Sequence, residues 1–183
     1  MRHGATEWTA TLQHTGRTDL ALTADGRREA AALYRPLDGQ KFAAAFTSPL
    51  SRARETARIA GFKDATVLDD LVEWDYGVYE GRTTAEIREE IPGWSVWDHP
   101  IPDGESVDAV AQRTERVLER CAEVDGRVVL FAHAHILRIL TACVLGLAPR
   151  TGRVFGLESG SISTIGVEHD YRVVRRWNWR PTP

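Results

Sequence analysis

The feature that most constrains the fold is a short apolar segment that runs directly into a helical pattern. Residues 127–131 are apolar after the first position, as is typical of a strand buried on both faces. Residues 136–145 follow with helical spacing of apolar side chains. A second apolar run, residues 42–47, precedes Ser48 and Pro49, a pair that favours the start of another helix. Two such strand–helix units predict an α/β fold.

Length and charge fit one enzyme-sized domain over residues 1–183. A chain of 183 residues can bury a sizeable core. Its formal net charge of -3 gives no general attraction for nucleic acid or anionic lipid, so we expect neither as a partner. The longest apolar run, residues 136–148, contains Arg138 and is too short to cross a bilayer. Any attraction for phosphate must therefore be local.

The two cysteines, Cys121 and Cys143, lie inside apolar helical patterns. Two isolated cysteines in a chain this long are typical of reduced core residues and not of a disulfide scaffold. Only Met1 precedes Arg2, so we also expect no signal peptide. The sequence thus predicts a cytoplasmic protein, either a monomer or a homodimer.

Capping residues and periodicity divide the rest of the chain into further elements. The patterns predict helices over residues 23–37, 83–91 and 106–124, a short strand over 67–70, and a hairpin of residues 161–167 and 172–177. Residues 92–104 form the longest irregular segment, and such loops are often lids or walls of a site. Trp94 and Trp97 in this loop could equally line a pocket or seal the loop from below.

Histidines mark two places where an anion could bind. His3 is flanked by Arg2 and Gly4, which places a cation and a small residue beside a nitrogen that can attack. His133 follows the strand of residues 127–131 and precedes a helix. In open α/β sheets ligands bind at that junction, where unpaired backbone N–H groups favour anions.

Arg52 and Glu73 are further candidates. Arg52 lies in the first turn of a predicted helix, where the dipole disfavours a cation by a few tenths to about 1 kcal/mol. A local rule broken at such a junction indicates function. Glu73 lies among aromatic residues, whose desolvating effect favours a carboxyl group able to donate a proton near neutral pH. Asp75 and Glu80 are interpreted as turn and capping acids.

These residues belong to five blocks that follow one another over about 130 positions. The blocks are Arg2-His3-Gly4, residues 14–26 (HTGRTDLALTADG), residues 48–57 (SPLSRARETA), residues 73–81 (EWDYGVYEG) and residues 131–135 (FAHAH). Together they resemble the histidine phosphatase superfamily, also called phosphoglycerate mutase-like. The resemblance implies an α/β fold, a three-layer α/β/α sandwich with a mostly parallel central sheet.

The resemblance also implies a mechanism without a metal or another cofactor. His3 would attack the phosphorus of a small phosphorylated substrate while Arg2, Arg52 and His133 hold the phosphoryl oxygens. Glu73 would donate a proton to the departing oxygen. Three further residues are expected to line the substrate side: Thr9, Thr15 and Gly16. The backbone N–H of Ala134 is expected to be an additional oxyanion donor.

Within the resemblance, a phosphatase is favoured over a mutase. The mutases carry a long basic insertion after the Glu block that grips a second anionic group. Here about 23 residues separate Gly81 from Glu105, and Arg82 and Arg88 are the only Arg or Lys residues among them. A site that lacks such basic residues should transfer its phosphate to water, as in the small acid-phosphatase and sugar-phosphatase branch.

Two functions from other classes remain open, besides a phosphoglycerate mutase. His133 and His135 after a buried strand also suit zinc, with His3 or His14 as a third ligand. That hypothesis leaves Arg2 and Arg52 unexplained. The other alternative is a catalytically weak protein that only binds a phosphorylated ligand.

One departure from the family concerns the first central strand. Family members normally have an apolar strand directly before Arg-His-Gly, and that strand is missing here. Three or four buried apolar side chains contribute roughly 5 to 10 kcal/mol, at about 1.5 to 3 kcal/mol each. We therefore expect the natural protein to begin several residues earlier, and a chain extended by that strand to melt well above this one.

Overall fold

The computed structural model describes residues 1–182 and confirms an α/β fold. The helices are α1 (Glu7–Ala10), α2 (Ala24–Ala32), α3 (Tyr34–Leu37), α4 (Ser51–Ile59), α5 (Thr84–Glu90), α6 (Val107–Ala122) and α7 (Ala134–Val144). The strands are β1 (Ala44–Thr47), β2 (Thr66–Val67), β3 (Val128–Phe131), β4 (Ile162–Glu168) and β5 (Tyr171–Trp179). Among the described residues, no helix is both long and apolar enough to cross a membrane.

Strands β2, β1 and β3 form a parallel sheet in that order, and β4 and β5 form an antiparallel hairpin. The amino-terminal residues lie between these two units. Arg2 forms a single parallel bridge with Ala132, just beyond β3, and its backbone N–H donates to Ser161 O at 3.2 Å. The start of the chain thus lies beside the carboxyl end of β3.

The side chains of β3 point alternately towards two layers of helices, one on each face of the sheet. Val129 and Phe131 pack in a cluster with Leu33, Leu37 and Ala57 from the helices on one face. Val128 and Leu130 pack against the opposite cluster, to which α6 and α7 contribute. Because neighbouring side chains of a strand point to opposite faces, one apolar strand supplies both cores. The predicted three-layer sandwich is confirmed.

Three predicted element boundaries are wrong in detail. The helix expected over residues 23–37 breaks after Ala32, because the ring of Pro36 would clash with the carbonyl group four residues earlier. Ser48 does not cap α4, whose N-cap is Leu50, since the Ser48 hydroxyl contacts His133 instead. The strand expected over residues 67–70 is instead Thr66–Val67, and a short 3₁₀ turn over residues 69–71 follows it.

The other predicted elements agree with the structure. Thr83 and Ser106 each cap the helix that follows, because each side chain accepts the backbone N–H of the third helical residue. The closing hairpin forms, and His169 lies exposed in its turn. Residues 92–104 contain turns but no helix or strand, and both Trp94 and Trp97 in this loop are buried.

Gly26, in the first turn of α2, is a position where the fold requires glycine. A Cβ atom there would lie 2.0 Å from the carbonyl oxygen of Ala5, so the helix packs directly on the backbone that follows His3. We expect Gly26→Ala to lower the free energy of unfolding by about 2 kcal/mol or more. Gly156→Ala is the matched control, because no atom lies within 4 Å of a Cβ there. Urea denaturation of both variants measures the difference, and equal stabilities would show that this backbone contact is absent.

Candidate active site

The carboxyl ends of the parallel strands bring the predicted residues together. Ser48 directly follows β1, and His133 follows β3 as the N-cap of α7. His3 lies beside them because its backbone N–H donates to Ala132 O at 3.0 Å. All three side chains are buried. The site therefore forms where ligands bind in open α/β sheets.

His3 is held as a neutral imidazole with one nitrogen free. Its Nδ1 lies 2.7 Å from the carbonyl oxygen of Gly4. A carbonyl only accepts, so Nδ1 carries the proton and Nε2 keeps its lone pair. Burial, followed by the charges of Arg52 and Arg2, holds the pKa of His3 well below its usual value. The predicted nucleophile is therefore in the form that can attack.

Arg52 and His133 contact each other directly. Nε of Arg52 donates to Nδ1 of His133 at 3.1 Å, and Nε2 of His133 lies 2.7 Å from Ser48 Oγ. The His133 ring centroid is 4.9 Å from that of His3. Burial, followed by the charge of Arg52, keeps the pKa of His133 well below its usual value. These contacts on both ring nitrogens fit anion binding better than zinc ligation.

The loop of residues 15–18 wraps around the other side of Arg52. The Arg52 guanidinium is fully buried and donates to three carbonyl oxygens, those of Thr18 (2.8 Å), Gly16 (2.9 Å) and Thr15 (3.2 Å). Glu80 fixes the same loop by accepting the backbone N–H groups of Arg17 and Thr18 at 2.7 and 3.1 Å. Thr15 and Gly16 thus lie at the site through their backbone.

Arg2 has one buried donor, its Nε, without a hydrogen-bond partner among residues 1–182. Its Nη1, by contrast, donates to Leu157 O at 2.5 Å. Burial lowers the pKa of Arg2, and the nearby charge of Glu73 opposes that effect. Buried donors are nearly always paired in folded proteins. The free Nε is therefore suited to an acceptor that a ligand brings.

The carboxylate of Glu73 contacts the amino end of α7. Its Oε1 accepts the backbone N–H groups of Trp74 and Ile136, both at 2.9 Å, and its Oε2 accepts that of His135 at 3.0 Å. The aromatic surroundings expected from the sequence are present, with Trp74 and Tyr76 buried nearby. The backbone donors were not foreseen, because two of them come from residues more than sixty positions further along the chain.

Arg113 supports the Glu73 loop and was not singled out from the sequence. It is buried on α6, where its Nε and Nη2 lie 2.8 and 2.9 Å from the two carboxylate oxygens of Glu105. It also donates to the carbonyl oxygens of Asp70 (2.8 Å), Val72 (2.9 Å) and Glu73 (3.3 Å). One signal was available, since Arg113 falls on the apolar stripe between Val110 and Val117.

The remaining predicted residues are Thr9, Ala134 and Asp75. Thr9 belongs to α1, and its hydroxyl lies 3.0 Å from the hydroxyl of Thr6 and accepts the Thr6 N–H at 3.2 Å. Ala134 is the first residue of α7, immediately after His133. Asp75 accepts the N–H of Gly77 at 2.9 Å, as a turn residue should. Among residues 1–182, no group of three or more His, Cys, Asp or Glu side chains could hold a metal ion.

Known proteins are similar to this chain in sequence and fold over nearly its whole length. A family model described as the histidine phosphatase superfamily (branch 1) matches residues 1–180. An acid phosphatase of Mycobacterium tuberculosis is 38% identical over 176 residues, which cover 94% of this chain and 87% of that protein. A probable phosphoglycerate mutase of Salmonella arizonae is 30% identical over 188 residues, with 97% and 87% covered.

A solved structure has a very similar fold. The structure of the open reading frame Rv3214 from Mycobacterium tuberculosis superposes with a TM-score of 0.94 at 34% identity, covering 99% of this chain and 96% of that one. The sequence blocks, the fold and these matches lead to one assignment. The chain belongs to the histidine phosphatase superfamily (branch 1).

Proposed function

We propose that this phosphatase is a metal-independent phosphomonoesterase that acts on a small phosphorylated metabolite through a phosphohistidine at His3. The observation that carries the proposal is the state of the His3 ring. Its Nδ1 is bonded to Gly4 O, so its neutral Nε2 is free, and the ring packs beside His133. Arg2 and Arg52 are near enough to influence its pKa.

In the first step, the lone pair of His3 Nε2 forms a bond to phosphorus while the bond from phosphorus to the ester oxygen breaks. The departing oxygen takes the bonding electrons and receives a proton from the carboxyl group of Glu73. The products are a phosphorylated His3, a Glu73 carboxylate and the free alcohol.

In the second step, a water molecule attacks the phosphorus of the phosphohistidine. The Glu73 carboxylate takes a proton from this water, and the electrons of the P–N bond return to His3 Nε2. Inorganic phosphate leaves, and both His3 and Glu73 are back in their starting forms.

The charged groups supply most of the rate enhancement, because phosphoryl transfer depends mainly on positioning and electrostatic stabilisation. The unpaired Arg2 Nε and the Arg52 Nε can each donate to a phosphoryl oxygen. The negative charge of that group favours protonation of His133 at Nδ1, which turns this nitrogen from an acceptor into a donor. The Ser48 hydroxyl then still holds Nε2 of the same ring.

The contacts of two arginines support a phosphatase over a mutase. Arg82 pairs with Glu90 at 2.6 Å, and Arg88 donates through Nε to Trp94 O at 2.8 Å. Both cations of the short segment after Gly81 thus contact the protein itself, which favours a site without a grip for a second anionic group. With 3-phosphoglycerate as substrate we expect release of phosphate. Conversion to 2-phosphoglycerate without phosphate release would favour the mutase.

A direct test of the proposed function is hydrolysis of p-nitrophenyl phosphate in the presence of EDTA. We expect turnover to survive EDTA and to be blocked by vanadate, which resembles the pentacoordinate transition state. Activity that EDTA abolishes and added zinc restores would favour the metal-dependent alternative. Tight binding of the ester without turnover would favour a phospho-ligand binder.

Glu73→Gln separates proton donation from binding. We expect kcat/KM for an alkyl phosphate to fall by about 10²- to 10⁴-fold, the usual contribution of a general acid. The loss should be much smaller for p-nitrophenyl phosphate, whose leaving group needs little protonation. Glu89→Gln is the matched control, because Glu89 is exposed on α5. Equal losses on both esters would contradict the assigned role.

A further inference from the structure

Arg113 and Glu105 form an ion pair beside the loop that carries Glu73. Arg113 belongs to α6, and its Nε lies 2.8 Å from Oε1 of Glu105, with the two side chains 10% and 17% exposed. Burial opposes ionisation of Glu105, but the hydrogen bond and the charge of Arg113 outweigh it and lower the pKa of that carboxyl group. Because arginine stays protonated in proteins, both members of the pair are charged.

Arg113 holds the loop at Glu73 itself and just before it. Residues 72–76 contain no helix or strand, so their backbone groups need other partners. The Arg113 guanidinium donates to the carbonyl oxygens of Val72 at 2.9 Å and of Glu73 at 3.3 Å. It also donates at 2.8 Å to Asp70 O, in the 3₁₀ turn that precedes the loop. One side chain thus fixes the backbone of the residue proposed as the acid.

Glu105 holds the same loop just after Glu73. Its Oε2 accepts the backbone N–H of Asp75 at 3.0 Å, and its own backbone N–H donates to Asp75 O at 3.0 Å. Its carbonyl oxygen accepts the indole N–H of Trp74 at 2.8 Å. The ion pair therefore connects the contacts on the two sides of Glu73.

The position of the Glu73 carboxyl group depends on this loop. Its carboxylate reaches the N–H groups of His135 and Ile136 across the site only while the backbone of Glu73 stays where it is. A loop that moved would carry the carboxyl group away from α7 and from the departing oxygen. Proton transfer requires hydrogen-bond distance, and a displacement of about 1 Å can lower a rate about 10²-fold.

A purely structural role of the ion pair would have a different kinetic effect. Removing one partner of a buried pair destabilises a protein whatever else the pair does. Destabilisation reduces the amount of folded enzyme and so lowers the rates with all substrates alike. A misplaced acid, by contrast, slows mainly those esters whose leaving group needs a proton.

We propose that Arg113 and Glu105 are positioning residues that together hold the Glu73 carboxyl group at the departing oxygen. Within residues 1–182, neither side chain hydrogen-bonds to His3 or to the residues proposed to hold the phosphoryl group. The pair therefore acts through Glu73. This role rests on the proposed function and deepens it, because it assigns the groups that place the proton donor.

The test measures kcat/KM for hexyl phosphate, whose alcohol needs a proton to leave, and for p-nitrophenyl phosphate, whose leaving group needs little protonation. Arg113→Lys keeps the charge, but one ammonium group cannot hold the same set of carbonyl oxygens. We expect the ratio of hexyl to p-nitrophenyl phosphate to fall about tenfold, a part of the usual contribution of a general acid. Arg120→Lys, exposed on α6, is the matched control and should leave the ratio unchanged.

The same substitution in a Glu73→Gln enzyme shows whether the effect passes through Glu73. We expect adding Arg113→Lys to change the already lowered ratio by less than about twofold, because residues that act as a unit are not additive. Urea denaturation checks that each variant is folded. If Arg113→Lys does not fold, Glu105→Gln replaces it, since it releases the Asp75 N–H and should lower the ratio about threefold or more.

Two outcomes would overturn the inference. A ratio that stays unchanged, with or without an equal loss on both esters, would leave the ion pair a role in stability alone. A further fall of the ratio in the Glu73→Gln enzyme would show that the pair acts through another group. In both cases Glu73→Gln by itself still lowers the ratio and the proposed function stands. If Glu73→Gln leaves the ratio unchanged, the proposed acid and its positioning residues are both wrong.

Discussion

Replacing His3 with alanine is expected to lower kcat for p-nitrophenyl phosphate by about 10⁴-fold or more, as for the loss of other catalytic nucleophiles. The neighbouring His133 is not a substitute, because both of its ring nitrogens are engaged by Arg52 and Ser48. Removing the imidazole leaves the arginines in place, so phosphate should still bind. The expected signature is a collapse of kcat with little change in the Kd for phosphate.

The control for this variant is His169→Ala, which removes an exposed imidazole far along the chain in the hairpin turn. Steady-state kinetics and phosphate titration of the two variants give the comparison. A His3→Ala enzyme that keeps more than about a tenth of the activity would show that another group attacks the phosphorus.

Arg52→Lys is expected to lower kcat/KM by about 10²- to 10³-fold, as for removal of one oxyanion donor. The charge is retained, but an ammonium group cannot reproduce the planar set of contacts that Arg52 makes. Its Nε faces His133 while its two terminal nitrogens hold the loop of residues 15–18. Losing those contacts also leaves buried carbonyl groups unpaired, at about 1 to 3 kcal/mol each.

Arg54→Lys is the matched control, because Arg54 lies two residues further along α4 and is exposed. Kinetics should be combined with urea denaturation, so that loss of activity is measured on folded enzyme. Near-normal activity of Arg52→Lys would mean that the guanidinium acts only as a charge and not as an oriented donor.

The part of the site that sequence reasoning found is the part that lies at element boundaries. His133 follows an apolar strand, and Arg52 lies in the first turn of a helix where a cation is out of place. Such positions can be recognised in the sequence because an unusual residue directly adjoins a regular strand or helix pattern. The parallel sheet then brings them together, since the strands end at one edge.

The part that sequence reasoning missed depends on contacts between distant segments. Two of the backbone donors that hold Glu73 come from the start of α7, and the Arg113 contacts come from α6. The local pattern predicts Ser48 as a helix cap, yet its hydroxyl contacts His133. Local patterns carry no information about such partners, which exist only once the layers have packed.

The measurement that tests the central claim most directly is rapid quenching of the enzyme during turnover of a substrate labelled with ³²P. We expect an acid-labile label on His3 that appears before free phosphate, decays as phosphate is released and is absent from the His3→Ala variant. Full turnover without any label on His3, or the same label in His3→Ala, would contradict it.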